Sequence, residues 1–210
     1  KSSLFTCRKP STLCAEVSLP PCGWTSLKKS RTAVVAENQL RVSPRLLENN
    51  LVRVELNANG EVVHFIDKQT RRDFAAGAMN RFRLYKDVPR NCDAWDIDSN
   101  YPLMPVDTDS RAVGRVLAKG PLAAVIEVRR RINLSILRQE IWLRRDSRRL
   151  DFRTTIEWRE KHKLLKVDFP VAVHANEALH EIQFGHIRRP NHKSRQYDAD
   201  RFEVAQQQWT

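Results

Sequence analysis

The sequence predicts an all-β protein built as an antiparallel sandwich. Three observations carry this. Between residues 112 and 173, short apolar runs recur about every ten residues, with charged turns such as Arg144-Arg145-Asp146-Ser147 between them. Residues 51–67 alternate, turn and return as a hairpin. No segment sustains a helical apolar period over several turns.

Residues 1–37 are mixed. Pro20-Pro21 and Gly23 make residues 17–25 irregular or turning. Residues 28–38, with Lys28-Lys29-Ser30-Arg31, suit a connecting strand or an exposed linker. Leu51-Val52-Arg53-Val54-Glu55-Leu56 alternates apolar and polar from Val52 on, and Asn57-Ala58-Asn59-Gly60 supplies residues that tolerate positive φ. Glu61 to Asp67 returns as the second strand, with His64 read as a surface or satisfied histidine.

Residues 71–110 are a long excursion. Arg81 to Tyr85 alternates and reads as a strand, ended by Pro89. Asp93, Asp96 and Asp98 then cluster around Trp95. Leu122 to Val128 is apolar enough to be buried on both faces. Four further strands are expected: Ile132–Ile136, Gln139–Leu143, Leu150–Trp158 and Leu164–Val173. Pro170 marks the last as an edge or a bulge. The glycosylation triplet Asn133-Leu134-Ser135 lies in an apolar strand pattern and reads as chance. His180 to His192 is strand-like and broken by Gly185 and Pro190, and a polar run, Lys193 to Asp200, follows.

The 210 residues can bury a sizeable core. The hydrophobic share is 41% and the charged share 30%, a folded chain with a wet surface. No apolar run approaches the ~20 residues of a membrane span. Lys1 is not an initiator, and the first thirty residues hold no stretch suited to a signal peptide. Lys and Arg exceed Asp and Glu by 37 to 25, a net charge of +12. The arginines are scattered through strand segments: Arg129-Arg130-Arg131, Arg144-Arg145 and Arg148-Arg149. No helix collects them, so the surplus reads as a solvated basic face or a surface that meets an acidic neighbouring domain, rather than a nucleic-acid site. Cys7, Cys14, Cys22 and Cys92 form no C-x-x-C pair and read as free thiols of a cytosolic protein.

Two stretches hold candidate chemistry. Carboxylates beside an indole suit a sugar, because carboxylates accept from hydroxyls and the indole face stacks on a ring's C–H face. The spaced aspartates lack the glycine and terminal Glu of an EF-hand. The competing reading has the aspartates capping turns and Trp95 plugging the core. His174, His180, His186 and His192 recur every six residues. On one strand that spacing separates neighbours by ~20 Å, too far for one zinc. No nucleophile elbow, phosphate loop or dinucleotide fingerprint is present, and nothing places two carboxyls the ~5 Å apart that a retaining glycosidase needs.

Three stretches resemble a known family. Glu181-Ile182-Gln183-Phe184-Gly185-His186-Ile187-Arg188-Arg189-Pro190-Asn191-His192, with Asp200-Arg201-Phe202-Glu203-Val204 after it, is similar to a segment of the C-terminal β domain of family 38 α-mannosidases. Asn91-Cys92-Asp93-Ala94-Trp95-Asp96-Ile97-Asp98 resembles a segment of the cytosolic and bacterial branch, with Cys92 where relatives carry an aromatic. Arg149 to Glu160 resembles a strand that carries the pattern RLDF-x-T-x-x-x-W-x-E. The three fall in family order and span most of residues 45–205.

The resemblance implies a galactose-mutarotase-like β-supersandwich over residues 41–210, with 1–40 the end of a small β domain and its linker, as a fragment of a larger enzyme. It implies a parent that is a zinc-dependent retaining exo-glycosidase acting on terminal α-linked mannose. That family's zinc ligands and nucleophilic Asp sit on an N-terminal catalytic α/β domain, whose His-x-His-x-Asp motif is absent here. No catalytic or metal-binding residue is therefore assigned to this chain, and the segment alone is expected to be inactive. The partners implied are that N-terminal domain and mannose-containing glycans, with no membrane. The candidate sugar contacts are Asp93, Trp95, Asp96, Asp98, His186, Arg188, Arg189 and His192. The alternatives are a stand-alone carbohydrate-binding or scaffold module and, third, a basic nucleic-acid-binding domain.

Overall fold

A computed structural model describes residues 4–6, 13–15, 17, 21–26, 40–92, 95–108 and 111–210. Its strands, in chain order, begin with β1 (Leu4–Thr6), β2 (Leu13–Ala15), β3 (Arg41–Ser43), β4 (Leu46–Glu48), β5 (Val52–Leu56), β6 (Val62–Asp67), β7 (Arg72–Asp73) and β8 (Arg81–Lys86). They continue with β9 (Pro105–Val106), β10 (Ala112–Lys119), β11 (Ala123–Ile132), β12 (Ser135–Arg144), β13 (Leu150–Glu157), β14 (Lys163–Asp168), β15 (Glu177–Ile182) and β16 (Gly185–Pro190). A 3-10 turn covers Tyr101–Leu103, and one short helix, α1, covers Gln196–Asp200. The described chain is thus almost wholly β, as expected. The linker expected at 28–38 lies outside the described residues.

The described residues group into two compact units. The first comprises Lys1–Arg83, Asp107–Lys161 and Lys166–Val171; the second comprises Leu84–Val106, His162–Leu165 and Ala172–Thr210.

In the first unit the alternation at 52–56 becomes β5, whose burial runs strictly buried, half-buried, buried. The turn after it works through one side chain. Asn57 Oδ1 accepts the backbone N–H of Asn59 at 2.9 Å and of Glu61 at 3.0 Å, and its Nδ2 donates to Glu61 at 2.7 Å. Gly60 takes φ +69°, where a Cβ would lie 2.5 Å from Val128. The turn therefore needs glycine for its backbone and for its neighbour.

Two antiparallel meanders form a sandwich. One sheet runs β3-β4-β5-β6-β7 and the other β10-β11-β12-β13. Leu47, Val52, Val54, Leu56 and Val62 from the first pack on Ala124, Ile126, Val128, Ile141 and Leu143 from the second. Fully burying each large aliphatic contributes about 1.5–3 kcal/mol. Every residue from Ala123 to Val128 is buried, because Val125 and Ala123 are covered on the opposite face by Ala118, Leu117, Leu122 and Trp142. Asn49 ties the two sheets' turns together. Its Nδ2 donates to the carbonyls of Arg144 and Ser147, both at 2.8 Å, and its Oδ1 accepts from Leu51 and Val52, also at 2.8 Å.

Three sequence expectations are corrected here. Ile132–Ile136 is not one strand. Asn133 adopts φ 49° and, with Leu134, closes a two-residue turn between paired Ile132 and Ser135. Gln139–Leu143 is then the middle of the long strand β12. The strand expected at Leu164–Val173 ends at Asp168, before Pro170, which has no N–H to extend a ladder. Pro170 still serves as an acceptor, taking the N–H of Ala76 at 3.1 Å.

In the second unit, β15 and β16 form a hairpin, with Gln183 and Phe184 between paired Ile182 and Gly185. The break expected at Gly185 falls one residue earlier, at Phe184 with φ 63°. The polar run after it holds helix α1, too short to leave a period in the sequence.

Candidate functional site

The Asp-Trp loop follows β8 in the second unit. Its backbone turns on Cys92, at φ 56°. The Cys92 carbonyl accepts the N–H of Trp95 at 2.9 Å and of Asp96 at 3.1 Å. This turn drives the indole outward, and Trp95 is 88% exposed. The reading in which Trp95 plugs the core is therefore wrong. Asp98 does cap the loop: its Oδ2 accepts the N–H of Arg90 at 3.2 Å, and its carbonyl accepts that of Tyr101 at 3.1 Å. Asp96 Oδ1 accepts the N–H of Ile97 at 2.9 Å. Asp93 lies outside the described residues.

Tyr101 anchors the loop's far end. Its ring meets Tyr85 edge-on at 5.1 Å, its hydroxyl bonds Glu203 at 2.7 Å, and Phe202 lies 6.4 Å from it. Sequence reasoning gave Tyr85 and Tyr101 no role. The signal was present in Phe202-Glu203, which belong to a stretch already read as family-like.

The β15–β16 register sorts the other candidates. Paired residues share a face, and faces alternate along a strand. His186 opposite Glu181 and Arg188 opposite Leu179 lie on one face; Arg189 opposite Ala178 lies on the other. Arg188 stands 3.6 Å from Glu177, while Arg189 donates to the Ala205 carbonyl at 3.0 Å. His192 lies 4.0 Å from buried Asp198, whose carboxylate also accepts the Arg195 N–H at 3.2 Å, at the start of α1. The C-terminal segment lines the edge of β15. Glu181 N–H donates to the Trp209 carbonyl at 3.0 Å, Gln208 N–H donates to the Glu181 carboxylate at 2.6 Å, and Trp209 sits 6.4 Å from the His186 ring.

The structure therefore presents an exposed indole on a loop that continues through Asp96 and Asp98, and His186 with Arg188 on one hairpin face. Arg189 and His192 face other duties. Among the described residues, no group of three or more His, Cys, Asp or Glu side chains is placed to hold a metal ion.

Residues 47–210 match the family described as glycosyl hydrolases family 38 C-terminal domain. Human alpha-mannosidase 2C1 is 34% identical over 171 residues, covering 78% of this chain and 16% of that protein. Alpha-mannosidase G of Dictyostelium discoideum is 30% identical over 215 residues, covering 92% of this chain and 20% of that protein. The crystal structure of an alpha-mannosidase from Enterococcus faecalis V583 superposes with a TM-score of 0.64 over 94% of this chain and 27% of its own, at 15% identity, which shows a shared fold. The chain spans about a fifth or less of the length of these sequence relatives. On the match over residues 47–210, the chain belongs to the C-terminal domain family of the family 38 glycosyl hydrolases.

Proposed function

We propose that this chain is the C-terminal segment of an α-mannosidase that hydrolyses terminal α-linked mannose, with residues 41–210 the C-terminal domain and 1–40 the lead-in to it. The family match over residues 47–210 carries the reading. The segment supports a catalytic domain and lends it sugar-contacting loops. Zinc, in this proposal, is held by residues outside these 210. The cytosol is the compartment proposed, which suits the exposed free thiols Cys22 and Cys92.

Within the chain, Trp95 carries the sugar contact. An indole 88% exposed beside Asp96 and Asp98 offers an apolar face and two acceptors to one ligand. His186 and Arg188 are the hairpin contacts favoured by their shared face, with Asp93 retained from the loop. Arg189 and His192 belong to the proposal as supports for the C-terminal segment and α1.

The test uses the full-length polypeptide that carries this segment, assayed on para-nitrophenyl α-mannoside. Trp95→Ala is expected to lower kcat/KM by roughly 2- to 13-fold, the worth of about 0.5–1.5 kcal/mol of aromatic contact, with Tm unchanged. An unchanged kcat/KM would remove Trp95 from the site. The 210 residues alone are expected to show no turnover; zinc-dependent hydrolysis by them would overturn the division of labour.

A further inference from the structure

The first unit carries a feature that sugar hydrolysis does not use. A groove of about 470 Å³ opens on the outer face of the β10–β11–β12 sheet, lined by Arg111, Val113, Arg115, Glu127, Arg129 and Arg131, with Arg130 and Ile136 completing it. The register places its groups in rows. Arg115 lies opposite Glu127, with their side chains 2.7 Å apart. Glu140 continues that row on β12, opposite Glu127, so the row leaves no cation in surplus. The next row does: Val113 lies opposite Arg129, and Arg129 lies opposite Arg138. The third places Arg131 opposite Ile136.

Like charges directly opposed across antiparallel strands repel. Arg129 and Arg138 are both exposed, and neither side chain forms an ion pair or hydrogen bond with a described residue. Arg131 donates to a neutral carbonyl, that of Asn133, at 2.6 Å. Exposed apolar side chains flank the β11 arginines on the two neighbouring strands, Val113 at 72% on β10 and Ile136 at 39% on β12. Two residues along β11 separate Arg129 from Arg131 by ~7 Å, the repeat of side chains on one face of an extended strand.

We propose that this groove docks an acidic segment of another polypeptide, one whose carboxylates alternate with apolar side chains. Guanidinium forks pair with carboxylates in two-point geometry, which meets the charge left open in the groove at Arg129 and Arg131. Val113 and Ile136 take apolar side chains that a bare phosphate would not bring. No aromatic lines the groove, so it offers no stacking platform to nucleic-acid bases.

The test is a titration of the whole protein at low salt with a fluorescent peptide of alternating Glu and Leu. Binding is expected to weaken about tenfold in Arg129→Gln/Arg131→Gln, and to stay within about twofold in Arg41→Gln/Lys193→Gln, which removes equal charge from exposed sites elsewhere. Arg129→Gln is also expected to leave the fold intact and raise the thermal midpoint of the free protein, because it removes a repulsion. Equal binding by the groove variant and the charge-matched control overturns the proposal. Three other outcomes do so as well: tighter binding of an oligonucleotide that the same substitutions abolish, full competition by millimolar inorganic phosphate, and salt-sensitive self-association lost in the groove variant, which would assign the groove to a second copy.

Discussion

Asn80 and Gln139 exchange both hydrogen bonds of their side-chain amides, at 2.7 and 3.1 Å, in the buried part of the first unit. Gln139 Nε2 also donates to the Thr154 hydroxyl at 2.9 Å. Each residue is almost fully buried, 1% and 2% exposed. The pair is a closed polar unit inside an aliphatic core. Removing one member strands the other. Gln139→Leu is expected to destabilise by about 1–3 kcal/mol, roughly 2–12 °C in Tm. Asn80→Gly with Gln139→Leu should cost less than the two single changes summed, since the second loses a partner already gone. Asn80 sits at φ 59°, so glycine is the replacement that leaves its backbone unstrained. Strict additivity in denaturant melts would refute the coupling.

A second prediction concerns acid. The Thr70 backbone N–H and the Arg148 guanidinium hold Asp67 at about 2, against the ordinary 3.8, with burial opposing them. The Thr70 N–H lies 2.8 Å from Asp67 Oδ1 and the Arg148 Nε 2.8 Å from Oδ2. A carboxyl depressed in the folded state stabilises above its ordinary value, and this is lost as pH falls from about 4 through about 2. Asp73 shifts in the same direction: burial pushes it up, but the His64 ring and the N–H groups of Ala75 and Phe65 outweigh that. The stability gap between wild type and Asp67→Asn should be fully open at pH 5 and mostly lost by pH 2. A gap independent of pH across that window would count against the assignment.

Gly60→Ala tests the hairpin. The new methyl would meet Val128 at 2.5 Å on a backbone at φ +69°. Left-handed strain and local overpacking together should destabilise by about 2–4 kcal/mol. A melt within 1 °C of wild type would show that the turn relaxes freely.

Phe184→Asn should act in the opposite sense. Phe184 is fully exposed at the tip of β15–β16, at φ 63°. Asn tolerates that conformation better than an aromatic, so about 0.5–1 kcal/mol should be regained. Slower amide exchange across Glu177–Pro190 would record it. Faster exchange would mean that the ring supports the turn.

Much of the fold was legible because the physics was local. Alternation plus Asn57 and Gly60 gave β5 and β6, and the apolar run gave the doubly buried strand β11. The Asn133-Leu134 turn was hidden, because no glycine or proline marks it and Leu134 continues the apolar pattern around it. Helix α1 was hidden by its length. For the site, residue types were readable but directions were not. An aromatic can plug a core or face water, and only the turn on Cys92 decides that Trp95 faces out. The separation of Arg188 from Arg189 follows from alternation once the hairpin register is known. The opposition of Arg129 to Arg138 required the strand pairing itself.

The sandwich also sets a schedule for synthesis. The sheet β3–β7 is complete at Asp73, but its apolar face is covered by residues that reach Leu143. At about 5–20 residues per second, those 70 residues take roughly 4–14 s to appear. For that interval a growing chain holds Leu47, Val52, Val54 and Leu56 without their cover. The nascent protein therefore passes through a sticky half-sandwich, and slower translation of residues 74–143 should raise its demand on chaperones that bind apolar strands.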